Sequence, residues 1–132
     1  MATVELVEYA QASPAVREVF DDIRATRKTD FINNFWQALA VNPAQLARTW
    51  QAAKAVMAPG ALDPLTKELI YIAVSVANKC EYCIHSHTAA ARAKGMTQDQ
   101  YGELVAVIGM AHSTNGLATT LQVPVDEVFK VS

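Results

Sequence analysis

Residues 65–97 read LTKELIYIAVSVANKCEYCIHSHTAAARAKGMT, and their pattern decides the fold. Asp63-Pro64, just ahead, is a capping residue followed by proline at the first helical position. It opens a helix from Leu65 to Ala77 that is almost continuously apolar after Glu68, as expected of a helix buried on most sides. Asn78-Lys79 interrupts it. A second helix runs from about Cys80 to Lys94, and Gly95 stands where a C-terminal glycine cap belongs.

The rest of the chain follows the same grammar. Downstream, Thr97 and Gln100 form a capping-box pattern for a helix through roughly Ala111. Ser113 to Gly116 reads as a loop, and Leu117 to Leu121 as one more short helix. In the tail from Val123 to Ser132, Val125, Val128 and Phe129 offer apolar anchors for docking. Upstream, Pro59-Gly60 is a break. Ser13-Pro14 starts a helix in which Val16, Val19, Phe20 and Ile23 recur at helical spacing. Asp30 can cap a segment carrying Phe31, Phe35, Trp36 and Leu39. Asn42-Pro43 repeats the cap-plus-proline signal ahead of Leu46, Trp50, Ala53 and Met57. No alternating strand pattern competes. The expectation is all-α: a single compact helical domain over residues 1–132, with no internal repeat, low-complexity tract or linker.

Composition narrows the function. A chain of 132 residues is large enough for a real core. It is 52% hydrophobic and 18% charged, and that apolar surplus predicts surface buried in a homo-oligomer. The net charge is −2 with acids and bases interspersed, so neither nucleic acid nor an anionic membrane is expected as a partner. Met1 to Ala10 carries Glu5 and Glu8 and no apolar core, so no secretory leader is expected there. No apolar run approaches the roughly 20 residues that span a bilayer. The reading is cytoplasmic, where a close cysteine pair is catalytic or metal-binding more often than a permanent disulfide.

The only two cysteines form the motif Cys80-Glu81-Tyr82-Cys83. On a helix they share a face and can cycle between dithiol and disulfide, with the thiol pKa lowered if the pair sits at a helix N-terminus. His87 is at i+4 from Cys83 and i+7 from Cys80, on the same stripe, where a base can activate a sulfur nucleophile. Three readings stay open: redox catalysis; zinc held by two thiolates, a histidine and a carboxylate; and two inert buried thiols. The zinc reading lacks the usual second ligand pair, and the residues call for no cofactor and no resident metal.

Glu68 is the second candidate. It either faces water and favours its helix N-terminus, or points at the sulfur pair if the two helices fold back on each other. In the second case desolvation raises its pKa, and it can take a thiol proton. His85 points away from the cysteine face and reads as surface or interface. His112 reads as a charge at a helix C-terminus. Tyr71 and Tyr82 read as packing residues with phenols able to line the site. Phe31, Phe35, Trp36 and Trp50 read as core or subunit contacts, and Val105, Ile108 and Met110 as a further apolar side of the same kind.

The pattern Glu68-x11-Cys80-Glu81-Tyr82-Cys83-x3-His87, with its surroundings from Leu65 to Thr97, closely resembles the alkylhydroperoxidase D-like branch of the carboxymuconolactone decarboxylase superfamily. The resemblance implies an all-helical fold assembling as trimers or hexamers. It implies a peroxidase that reduces hydroperoxides with thiol electrons. Cys83 would attack the peroxide, Cys80 would resolve the sulfenic acid to a disulfide, and Glu68 with His87 would form a proton relay. A dithiol donor, a lipoylated or thioredoxin-like protein, would restore the pair. The best-known peroxidase members carry histidine before the second cysteine, where this chain has Tyr82. The decarboxylase branch lacks the cysteine pair. The alternative from another class is a redox- or metal-responsive protein in which the pair senses without efficient turnover.

Overall fold

The structure, a computed structural model, describes residues 1–131. Among them all regular structure is helical: α1 (Pro14–Arg27), α2 (Asn34–Leu39), α3 (Pro43–Met57), α4 (Pro64–Ala77), α5 (Glu81–Ala93) and α6 (Gln98–Leu121). Short 3-10 turns lie at Tyr9–Gln11 and Glu127–Phe129. The chain forms two compact units, Met1–Ala58 and the part from Pro59 onward, each with its own apolar cluster.

In the first unit the helix starts follow their caps. Ser13 Oγ accepts the Val16 N–H at 3.3 Å, and Asn42 Oδ1 accepts that of Gln45 at 3.1 Å, each with proline in the first turn. Val16, Val19, Phe20 and Ile23 of α1 are buried with Trp36, Leu46 and Trp50. The two indoles meet edge to face at 5.4 Å. Trp50 Nε1 and Lys54 Nζ both donate to Asp22 Oδ2, at 2.6 and 2.7 Å. The tryptophans are therefore core residues of this unit, while Phe31 and Phe35 are exposed. The expected start at Asp30 is displaced: α2 begins only at Asn34. Lys28 turns left-handed at φ 55°, Arg24 Nε donates to the Asp30 carbonyl at 2.9 Å, and Thr29 Oγ1 accepts the Phe31 N–H at 3.3 Å. These local bonds occupy the segment before it can wind.

In the second unit Asp63 Oδ1 accepts the Thr66 N–H at 2.9 Å and starts α4. The break at Asn78-Lys79 is a tight reversal. Lys79 is left-handed at φ 57°, and the Cys80 N–H donates to the Ser75 carbonyl at 2.9 Å. It folds α5 back onto α4, and Ile72, Ala91 and Met96 bury between the helices with Leu65, Leu69, Val76, Tyr101, Leu104 and Ile108 packed around them. Gly95, at φ 96°, ends α5 in the left-handed conformation that suits glycine. The capping box is present: Thr97 Oγ1 accepts the Gln100 N–H at 3.1 Å, and Gln100 Oε1 accepts the Thr97 N–H at 2.8 Å.

Three expectations are corrected here. Helix α4 is buried along one line only, Glu68, Ile72 and Ser75, while Ile70, Tyr71 and Val74 are exposed in the single chain. Helix α6 runs unbroken through the supposed loop at 113–116 to Leu121. Thr114 Oγ1 lies 3.0 Å from the Met110 carbonyl and 3.3 Å from that of Ala111, so its hydroxyl is satisfied inside the helix. His112 is consequently mid-helix, and no C-terminal dipole acts on it. In the tail, left open by the sequence, Val125, Val128 and Phe129 are exposed in the single chain, and Ser132 lies outside the described residues.

Candidate active site

The reversal at Asn78-Lys79 places the motif at the N-terminus of α5. Cys80 is the N-cap and Cys83 stands in the first turn. The Cys80 sulfur accepts the Cys83 backbone N–H at 3.4 Å, so this cysteine does the capping work usually given to serine or aspartate. Both cysteines are free thiols and half-buried. The Cys83 thiol departs from the expected lowering. Burial, a hydrogen bond with Cys80 and the charge on Cys80 push it up to about 11. Burial is the largest cause, and two close sulfurs further resist carrying two negative charges.

Glu68 is 4% exposed, on the buried line of α4. Its Oε2 lies 2.6 Å from His87 Nδ1, and its Oε1 accepts from Lys94 Nζ at 2.9 Å. Burial pushes this carboxyl up, but the two hydrogen bonds and the charges behind them outweigh it and hold it below 4.5. The expected rise is thus reversed, and the charged carboxylate is the favoured form. Its chemical capacity is to hold the His87 ring by Nδ1, which leaves Nε2 as the working nitrogen.

That reversal has a testable sign. The unfolded chain takes up the Glu68 proton at about 4.5, the folded chain only below it. Stability contributed by Glu68 is therefore fully present above pH 4.5 and drains away as pH falls through the lower folded value. Thermal unfolding from pH 7 to pH 3 (roughly the carboxylate range) should fall more steeply in the wild type than in Glu68→Gln. Parallel curves would remove the charge from the folded-state ledger.

Tyr71, expected as a packing residue whose phenol could line the site, meets the site through its ring. Its ring stacks on His87, centroids 3.6 Å apart and planes 20° from parallel. Burial pushes its phenol up, followed by the charges of Cys83, Cys80 and Glu68. It is the common neighbour of both halves of the constellation; no hydrogen bond joins His87 to either sulfur. Lys94 is the residue that sequence reasoning missed. The one signal was a cation in the last turn before Gly95, which reads as a helix-dipole charge. His85 is exposed, and the two bonds to Glu68 come from His87 and Lys94. Among the described residues no group of three or more His, Cys, Asp or Glu side chains is arranged to hold a metal ion, and no helix is long and apolar enough to cross a membrane.

Comparison with known proteins places this architecture. A sequence model of the carboxymuconolactone decarboxylase family matches residues 43–126. The crystal structure of an alkylhydroperoxidase AhpD core from Rhodospirillum rubrum superposes with a TM-score of 0.97 at 60% identity, covering 100% of this chain and 99% of that one. A protein described as alkyl hydroperoxide reductase AhpD, from Solibacter usitatus, is 33% identical over 68% of this chain and 49% of its own length. An uncharacterized protein of the cox locus of Paracoccus denitrificans is 39% identical over 49% of this chain and 65% of its own length. The chain thus spans between half and two thirds of these two curated relatives. It belongs to the carboxymuconolactone decarboxylase family, as an AhpD-like member.

Proposed function

We propose that the protein is a thiol-dependent peroxidase reducing organic hydroperoxides through the Cys80/Cys83 pair. The observation that carries the reading is the pair at the start of α5, with the Cys80 sulfur hydrogen-bonded into the first turn and a buried Glu68 on the adjoining helix bonded to a half-buried His87. In the proposed cycle Cys83 is the attacking thiol. Its proton passes to the Cys80 thiolate as its sulfur takes the terminal peroxide oxygen; the O–O bond breaks, the leaving alkoxide takes a proton through His87 and departs as alcohol, and Cys83 becomes a sulfenic acid. The Cys80 sulfur then displaces that hydroxyl as water and closes the disulfide. A dithiol donor, lipoyl or thioredoxin-like, returns two electrons and two protons to the pair. His87, held at Nδ1 by Glu68, relays protons through Nε2, and Tyr71 keeps the ring in plane.

The test is peroxide consumption supported by several dithiols. Turnover with at least one of them, and stoichiometric disulfide formation in its absence, is the expected result. No consumption with any donor, together with a reversible disulfide, would favour the sensing alternative.

Assembly belongs to the same proposal. Helix α6 buries no residue completely, and Ile70, Tyr71, Val74, Val105 and Met110 remain exposed. Closed symmetry would cover such a surface. Light scattering should return a trimer or hexamer of the 14.3 kDa chain, and a fully active monomer would refute it.

A further inference from the structure

We propose that Lys94 is a positioning residue of the candidate site, locking Glu68 so that one carboxylate oxygen alone serves His87. The role builds on the peroxidase reading but has its own readout.

The geometry is specific. Glu68 has two oxygens and two partners, one each: His87 Nδ1 at 2.6 Å and Lys94 Nζ at 2.9 Å. The carboxylate side chain is 5% exposed, whereas that of Lys94 is 39% exposed. One end of the pair is thus dry and the other reaches water. A buried carboxylate with a single neutral imidazole partner gains too little to offset its desolvation. It would take a proton from solvent and lose its charged hold on the ring. A permanent cation on the second oxygen removes that option and frees the imidazole to exchange its proton at Nε2. The backbone is built to deliver the ammonium. Lys94 closes α5, its N–H shared among the carbonyls of the last turn, and Gly95 at φ 96° turns the chain away at the next residue. The other groups placed near the couple act elsewhere or through other contacts. Tyr71 on α4 stacks on His87, Cys80 and Cys83 sit at the far end of α5, and Tyr101 on α6 lies under the Arg92 guanidinium. Lys94 supplies Glu68 with an ammonium hydrogen bond and its positive charge.

A plain helix-end lysine would add some stability at every pH and nothing more. A positioning lysine moves a titration. The experiment follows the Glu68 carboxyl carbon by NMR in uniformly Glu-labelled full-length protein, the resonance being assigned with Glu68→Gln. It compares wild type with Lys94→Gln, which keeps a donor but no charge, and with Lys94→Arg, which keeps both. Lys94→Met is the fallback if the glutamine variant folds poorly. The charge-deleted variants should shift the Glu68 midpoint upward by about one pH unit or more. The acid limb of Cys83 alkylation should move in the same direction, while Lys94→Arg stays with the wild type. Identical midpoints in all variants would overturn the role, and so would an arginine variant that shifts as far as glutamine. A wild type without peroxide turnover but with the charge-dependent midpoint would sink the peroxidase reading alone.

Discussion

Cys83→Ser should consume peroxide no faster than buffer containing the same dithiol. The sulfur that remains, Cys80 at the N-cap, has the resolving role in the proposed cycle, and a serine hydroxyl is far too weakly acidic to attack a peroxide without a strong base. Cys80→Ser is the informative partner. It should react once, stop, and accumulate sulfenic and then sulfinic acid on Cys83, because nothing remains to resolve the first product. Mass spectrometry after a brief peroxide pulse separates the two. The assignment is exposed to refutation at a definite point. The structure raises the Cys83 thiol to about 11 and gives the Cys80 sulfur the helix-capping bond. If the wild type carries sulfenic acid on Cys80, the roles are exchanged and the capping sulfur is the nucleophile.

Glu68→Gln carries the second large effect: turnover should drop about a hundredfold, in the range usual for losing a positioned acid–base partner. The amide is nearly isosteric but neutral. It cannot stabilise a charged imidazolium, and one end of it must turn an N–H group towards His87 or Lys94, both donors in the wild type. Folding should suffer much less, by about 1–2 kcal/mol, because Lys94 and His87 are both open enough to find water. The measurement is the pH profile of thiol alkylation alongside turnover. An unchanged profile would remove Glu68 from the mechanism and leave it a structural charge.

Helix starts were largely legible because they depend on neighbouring residues. Ser13, Asn42 and Asp63 each precede a proline and each accept the N–H three residues on, as the local chemistry demands. Thr97 and Gln100 are the same kind of signal. Stops were harder. Ser113 to Gly116 has loop composition, yet serine and threonine hydroxyls bond within a helix at little cost, and exposed glycine merely weakens one. The span of α6 therefore had no local mark. The site divides along the same line. Spacing alone put Cys80, Cys83 and His87 on one stripe. That Glu68 turns inward was conditional on the two helices folding back, and its reversed acidity follows from Lys94, twenty-six residues away in sequence. The stacking of Tyr71 on His87 had no local mark for a related reason: an aromatic residue on an apolar helix is ordinary until its ring lands on an imidazole.

Both tryptophans of the chain, Trp36 and Trp50, lie edge to face within residues 1–58, with the Arg27 guanidinium 5.7 and 5.4 Å from their rings. Indole emission is therefore a reporter for one half of the polypeptide, while the sulfur chemistry happens in the other. Far-ultraviolet dichroism, dominated here by helices throughout, samples both. Comparing the two signals during a melt turns an accident of residue placement into a measure of cooperativity. Coincident curves would mean that both halves come apart together. An indole transition unmoved by Glu68→Gln, beside a displaced dichroism curve, would show that the redox half can loosen while the other stays folded.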